Sequence, residues 1–577
     1  MNKTNETTMQ NPATESEEAP PSALRKWGSL IVMSFAVLII VIDTTLLNVS
    51  LGNIIRDLGT DIQSLQWVIT SYSLVLAALT VTGGRLGDMF GRKKMFMLGA
   101  IIFAVGSFIA SISTNFPMLL IGESIIEGIG AALMMPATSA LLVANFKGRD
   151  RALAFGVWGG VAAGGAAIGP ILGGYLATNF SWRWGFRINV FVTIILLIGS
   201  ILIKKDKPSK EKPTLDWTGV FLSATGLLSI VFGLIEASSY GWWKATQIFS
   251  IFGQSIDLWG YSITPFAIAI GVIITALFVV WELHVEKKGK RPLVSMKLFK
   301  NRQFSSGMLT TGIMSLGQAG IIFSIPVFLQ SVRQLDAFNT GLALLPLSIS
   351  LLICAPLSAV ISKFIAPKRL VQLGLLLDII AMVIIQQSFS VTADAWTFAP
   401  GLALYGMGMG FVMAQVSNLA LSAVPVSEAG EASGVNSTLR QIGSSFGSAI
   451  IGAAMLTALA GNITTGIQNN QHIPNLLKPY LEQTVSAQTS NVEFGGGAQI
   501  KMKLPTSIKE DIHNVSEQAI SDANKNSVTY GIFFAILGFL ASFMLPNIRL
   551  SGPKAGLKTE PAEGAEGMPE RAPAVAH

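Results

Sequence analysis

The chain alternates long apolar runs with short polar breaks. A helix needs about 20 predominantly apolar residues to cross the hydrocarbon of a bilayer. Fourteen runs come close to that length or exceed it: about 27–49, 65–84, 95–113, 117–145, 151–178, 184–203, 216–236, 260–282, 303–330, 340–362, 369–389, 396–423, 433–460 and 527–547. Each reads as a membrane-spanning helix, and the even number returns both termini to one side. One break is long. Residues 461–526 are polar, and 476–488 and 507–524 within them could form amphipathic helices, as a cap or as extensions of the flanking spans.

Charge then orients the pattern. Lys and Arg collect in cytoplasmic loops. With both termini inside, 30 of the 40 basic residues fall on the cytoplasmic side and 10 outside, five of these in the long polar segment. The clusters "GRKK" (91–94), "KGRDR" (147–151), "KKDKPSKEK" (204–212) and "EKKGKRP" (286–292) all lie on one face of the membrane. They are short and abut spans, so the net charge of +7 reflects topology rather than a nucleic-acid partner.

Composition narrows the class further. Hydrophobic residues make up 51% and charged residues 13%, with a mean hydropathy of +0.56. Soluble domains carry about 25% charged residues. The single cysteine, Cys354, excludes an intramolecular disulfide framework and any cysteine-based metal site. None of the four histidines falls in a predicted span, so protons handled within the membrane would fall to carboxylates. No ATPase-type phosphate loop and no HExxH metal motif occurs, which excludes ATP-driven transport by this chain alone. No metal and no cofactor is expected.

A faint repeat divides the chain. "GRLGDMFGRKKM" (84–95) after span 2 is echoed by "AVISKFIAPKRL" (359–370) after span 10, and "EGIGAALMMP" (127–136) by "YGMGMGFVMA" (405–414). Paired halves are typical of transporters that alternate access about a central site. The expected organisation is a polar tail (1–26), a six-helix bundle (27–203) and two linker helices with basic loops (204–302). A second six-helix bundle (303–548) includes the extracellular segment 461–526, and a polar tail (549–577) follows. Both tails read as disordered.

Three acidic residues stand deep in apolar runs. Asp43 lies inside span 1, where an ionised carboxylate costs about 2.5–3.5 kcal/mol even on lenient insertion scales. Glu123 and Glu127 in span 4 are one helical turn apart and so share a face. Neighbouring carboxylates in apolar surroundings should not both ionise, which suits them to carrying a proton. Asp378, midway along span 11, is a further intramembrane carboxylate.

Five stretches in order resemble the fourteen-span drug:proton antiporter branch of the major facilitator superfamily. They are "IDTTLLNVSL" (42–51), "GRLGDMFGRKK" (84–94), "GGAAIGPILGG" (164–174), "SWRWGFRINV" (181–190) and "GEASGVNSTLRQIGSSFGSAI" (430–450), and the likeness covers about residues 25–548. The resemblance implies an all-α membrane protein with the major facilitator fold: two six-helix halves plus two inserted helices, both termini cytoplasmic. It also implies a bacterial or archaeal plasma membrane, and a monomer is the default for this fold.

For individual residues, the resemblance gives Gly84, Asp88, Gly91 and Arg92 a cytoplasmic gating role against the start of span 13. Gly165, Gly169, Pro170, Gly173 and Gly174 match the antiporter signature, on a helix that in the family packs against the opposite half and points to export. Arg183 and Arg187 begin span 6, where "SWRW" would tie that end to its neighbours. One departure matters. Where the family usually has an Arg in span 4 this chain has Ser124, and where a Gln often precedes the first Gly it has Glu127. Proton coupling and cation binding are therefore expected of Asp43, Glu127 and Glu123.

Asp43 is expected to face a water-filled central cavity. Trp67, Tyr72, Phe323, Phe411, Met413, Arg440 and Gln441 are candidates for its lining. The expected activity is proton-driven export of lipophilic, often cationic, drugs or dyes. The alternative is the same machine exporting a lipid, fatty acid or other endogenous amphiphile. A membrane enzyme is disfavoured because no nucleophile–base set converges.

Overall fold

The computed structural model describes residues 23–60, 62–204, 214–247, 249–251, 254–475, 477–479, 481 and 506–547. The expectations for the tails, for the 204–212 cluster beyond Lys204 and for most of 476–505 lie outside these residues.

Long helices account for nearly all of the described chain. They are α1 (Ala23–Leu58), α2 (Ile62–Phe90), α3 (Arg92–Ser111), α4 (Phe116–Asn145), α5 (Gly148–Asn179), α6 (Arg183–Gly199) and α7 (Trp217–Tyr240). They continue with α8 (Ile263–Lys287), α9 (Arg302–Ser331), α10 (Leu345–Ile361), α11 (Pro367–Ser388), α12 (Ala399–Ser422), α13 (Ala429–Asn469) and α14 (Thr506–Ser542). Among the described residues, ten of them contain stretches long and apolar enough to cross a membrane; the others are α5, α9, α10 and α14. Of these four, α10 spans only 17 residues and α14 opens on a polar stretch.

Local chemistry sets the helix starts. The side chains of Asn115, Asp216, Ser262 and Asn301 each accept a backbone N–H from the first turn that follows. Between α2 and α3 the chain turns at Gly91 with φ of 101°, a conformation that favours glycine. At the far end of the molecule, α13 and α14 extend beyond the 433–460 and 527–547 runs. Ile463 and Ile467 of α13 are buried in one cluster with Ile508 and Ile512 of α14. The helical-extension reading of this segment therefore holds for its described parts.

The packing order positions the site. α1 packs along α5, α3 along α4 and α6, and α10 and α11 along α12, while α9, α13 and α14 pack together. The early and late helices meet where α2 and α4 contact α13 and where α5 contacts α10 and α12. α7 lies against both α2 and α13, and α8 packs mainly on α7. Along most of α8 the exposed side chains are apolar (Ile270, Ile273, Leu277 and Val280 among them), and polar ones, His284 and Lys287, come only at its end. A short antiparallel hairpin, Phe249–Ile251 with Gln254–Ile256, joins α7 to α8.

As the resemblance implies, α5 packs against the later helices, α10 and α12, but through another part of its surface than the signature. Its signature glycines do not face the later helices. A Cβ built at Gly165 would meet Leu38 and Val41, one at Gly169 would meet Thr45, and one at Gly173 would meet Leu46, all on α1. The contact with α10 instead uses Gly156 and Gly160, against Ala355, Pro356 and Leu352. Glycines one turn apart bare one face of a helix, and only the lower pair of that series is turned to α10. Gly174 is half-buried and Pro170 lies inside the helix without ending it.

Candidate functional site

Two polar constellations interrupt the apolar interior. The first begins with α4, whose segment Leu120–Glu127 is π-helical rather than α-helical. Such wide turns are rare and occur mostly at functional sites. The segment is held against α3 at close range. A Cβ at Gly106 would lie 2.5 Å from the Glu127 backbone nitrogen, and one at Gly122 would lie 2.8 Å from the Ala110 nitrogen. Ser124, where the family usually has Arg, donates to the Val68 carbonyl at 2.7 Å and so ties α4 to α2.

This placement brings Glu123 and Glu127 together with Asp43 of α1. Carboxylate oxygens of the three lie within 4.8 Å of one another, and the residues are 1%, 0% and 1% exposed. Asn189 of α6 bridges two of them, donating from Nδ2 to Asp43 Oδ1 at 2.6 Å and to Glu127 Oε1 at 3.2 Å. Ser107 of α3 donates to Glu127 Oε1 at 2.6 Å. The second oxygen of each carboxylate, and the Tyr72 hydroxyl within electrostatic reach of all three, are buried without a hydrogen-bond partner. No basic side chain forms an ion pair with the cluster among the described residues. Three carboxylates this close in an apolar interior cannot all be charged, so the cluster must hold protons or a cation. Its all-oxygen donors would suit a hard ion.

The structure differs here from the expectation that Asp43 faces open water. The acidic cluster is enclosed within α1–α4 and α6, its three carboxylates at most 1% exposed. Neither Asn189 nor Ser107 stood out in the sequence. Asn189 was nonetheless visible as a lone amide in the apolar run of α6, inside "SWRWGFRINV".

The second constellation joins α2 to the start of α13 at one end of the molecule. Asp88, near the end of α2, accepts from Arg92 Nε and Nη2 at 3.0 and 2.8 Å. Its two oxygens also accept the backbone N–H groups of Gly430 at 3.0 Å and Glu431 at 2.8 Å, at the start of α13. A carboxylate facing free N–H groups at a helix N-terminus is favourably placed. Arg92 in turn donates to the Val426 carbonyl, and Arg85 lies 3.5 Å from Glu431. Gly84 permits the approach: a Cβ there would overlap the Gly430 carbonyl. Arg85 and Glu431 lie within the quoted motifs, but nothing in the spacing singled them out.

The remaining candidates divide. Trp67 is half-buried and stacks on Phe232 of α7, with ring centroids 6.0 Å apart. Phe411 is buried against Gly374 of α11, and Met413 packs into the clusters of the later helices. Arg440 and Gln441 are half-buried on α13 and have no hydrogen bond or ion pair among the described residues. The Phe323 side chain lies outside what is described. Asp378 is buried on α11, apart from the acidic cluster. At the end opposite the Asp88 network, Asp57 receives Trp182 Nε1 at 3.0 Å and pairs with Arg183, which also donates to the Ser113 carbonyl at 2.8 Å. "SWRW" thus ties α6 to α1 and α3, and the Arg183 guanidinium holds the Asp57 carboxyl below its usual range.

Comparison with known proteins now assigns the family. Residues 33–448 match the Major Facilitator Superfamily. The chain belongs to that superfamily.

This transporter is 26% identical over 561 residues to the multidrug transporter protein MdtP of Bacillus subtilis, covering 94% of this chain and 96% of MdtP. It is 29% identical over 486 residues to the multidrug efflux pump LfrA of Mycolicibacterium smegmatis, covering 83% and 88%. A probable actinorhodin transporter of Streptomyces coelicolor is 29% identical over 459 residues, covering 78% and 76%. Among solved structures, a double-Trp mutant of XylE superposes with a TM-score of 0.54 at 12% identity, over 91% of this chain and 96% of that one. That likeness concerns the fold. The protein is accordingly a multi-pass membrane transporter related to efflux pumps, and not an enzyme.

Proposed function

We propose that this transporter exports lipophilic, mainly cationic, drugs or dyes in exchange for protons. The observation that carries the reading is the buried Asp43–Glu123–Glu127 cluster, which lacks a paired basic side chain. In this reading all fourteen long helices span the membrane, as two six-helix halves with α7 and α8 inserted between them. The end bearing Arg92, Lys93, Lys94 and Lys147 is cytoplasmic, in accord with the positive-inside rule. The Asp88–Arg92 network is then the cytoplasmic gate, shut in this conformation.

The cycle follows from charge. With the gate shut, protons from outside neutralise the cluster. With the gate open, the cluster faces the cytoplasm, where a lipophilic cation takes the place of protons. Asn189 and Ser107 hold the Asp43 and Glu127 oxygens at fixed positions through both steps. The efflux functions named for MdtP and LfrA favour drug-like substrates. A second reading, export of an endogenous amphiphile with an acidic group, is favoured by Arg440, an unpaired cation within α13.

Proton release from purified protein in detergent on adding ethidium tests the reading. Wild type should release protons, and Asp43→Asn or Glu127→Gln should reduce or abolish the release. Ethidium binding without release would refute exchange at this cluster.

A further inference from the structure

The inserted helices end in a segment that the gate itself holds. After α8, Leu293, Val294 and Leu298 are 0%, 3% and 5% exposed and pack in one cluster with Phe304 of α9, Leu421 of α12 and Ala432 of α13. Apolar burial alone would leave the segment free to slide. Two carboxylates fix its backbone instead. Glu282 of α8 accepts the Val294 N–H at 3.4 Å, and Glu431 of α13 accepts the Ser295 N–H.

Glu431 is therefore shared. One oxygen, Oε1, takes Ser295, while the other, Oε2, faces Arg85 of α2 at 3.5 Å, and its backbone N–H goes to Asp88. A carboxylate held through one oxygen presents the other in a fixed direction. Arg85 also lies within electrostatic reach of Glu282. The Arg85 guanidinium, on the N-terminal side of the gate, thus pairs with a carboxylate from α13 and feels the field of one from α8, both of which grip the same short segment. The other charged groups at this junction include Asp216, which accepts from Trp281 Nε1 at 2.8 Å, Glu286, which takes the Ser295 hydroxyl and Lys297, and Glu428, within electrostatic reach of Glu431.

We propose that residues 293–298 act as a strut linking the inserted helix pair to the gate: the Ser295 backbone N–H aims Glu431 at Arg85, so α7 and α8 set how readily the gated end opens. This rests on the alternating-access reading above and adds a role for the two inserted helices. Ser295 and Glu282 are positioning residues in this scheme, since neither needs to touch substrate.

The test separates backbone from side chain. Spin labels at Phe90→Cys and Phe364→Cys, both exposed positions at the gated end, would report its opening in full-length protein carrying Cys354→Ala, reconstituted in lipid nanodiscs. Ser295→Ala keeps the N–H and should leave the distance distribution unchanged. Ser295→Pro removes the N–H, lets Glu431 turn away from Arg85 across the gate, and should raise the open-to-closed ratio severalfold. Glu282→Ala, which frees Val294, should shift the ratio in the same direction and decides the matter if the proline variant does not fold. Should Asp88→Asn open the gate while Ser295→Pro and Glu282→Ala match wild type, the strut is refuted and the gate stands. Should none of the three shift the ratio, the gate reading falls and the strut with it.

Discussion

Replacing Asp88 with Asn should open the proposed gate, and the structure sets the size of the effect. Asp88 makes four hydrogen bonds: two from Arg92 on its own side of the gate, and two from the N–H groups of Gly430 and Glu431 across it. Only the last two break when α2 and α13 separate. An asparagine keeps one carbonyl oxygen for one of those N–H groups and turns an NH₂ group toward the other. It also removes the charge facing the helix N-terminus. Hydrogen bonds to charged groups contribute about 1.5–3 kcal/mol each, net of water. Losing one therefore shifts the open-to-closed ratio by roughly 10- to 150-fold. Pulsed dipolar spectroscopy across the gate measures that ratio directly. A shift smaller than about threefold would show that the closed state rests on the apolar α2–α13 contact, and would refute the hydrogen-bond reasoning.

Other outcomes follow from the same geometry. Asn189→Ala removes the donor shared by Asp43 and Glu127, and should slow ethidium efflux from proteoliposomes by about tenfold or more at unchanged expression. Unchanged efflux would mean that the cluster does not need bridging. Gly169→Val places methyl groups into Thr45 of α1 and should destabilise the protein by about 1–3 kcal/mol through overpacking, read as a lower melting temperature in detergent. An unchanged melting temperature would contradict the α1–α5 contact.

The Asp57–Arg183 pair carries a pH prediction. Its folded carboxyl value is depressed by Arg183, so its stabilisation is present above the unfolded Asp value of about 3.9 and is lost as pH falls through the lower folded value. The melting-temperature gap between wild type and Asp57→Asn should stay constant from about pH 8 to 5 and close only below about pH 4. A gap that closes near neutral pH would assign the stabilisation to another group.

The apolar runs and their basic breaks determined the all-helical membrane class and nearly every helix, because helix length and loop charge are local properties that the bilayer itself demands. Asp43, Glu123, Glu127 and Asp88 were legible for the same reason, since a carboxylate within or beside an apolar run conflicts with its surroundings wherever the chain later folds. What the helices do to one another was not legible. The signature glycines of α5 could have turned their bare face to α1 or to α10, and rotation about the helix axis by one turn's worth of sequence decides between them. The bridging of Asp43 to Glu127 by Asn189, and the sharing of Glu431 between Arg85 and Ser295, join residues 62 to 346 positions apart. Partners so distant in the chain leave no spacing to read. Only the packing of α1, α4 and α6, and of α2 against α13, brings them within hydrogen-bonding distance.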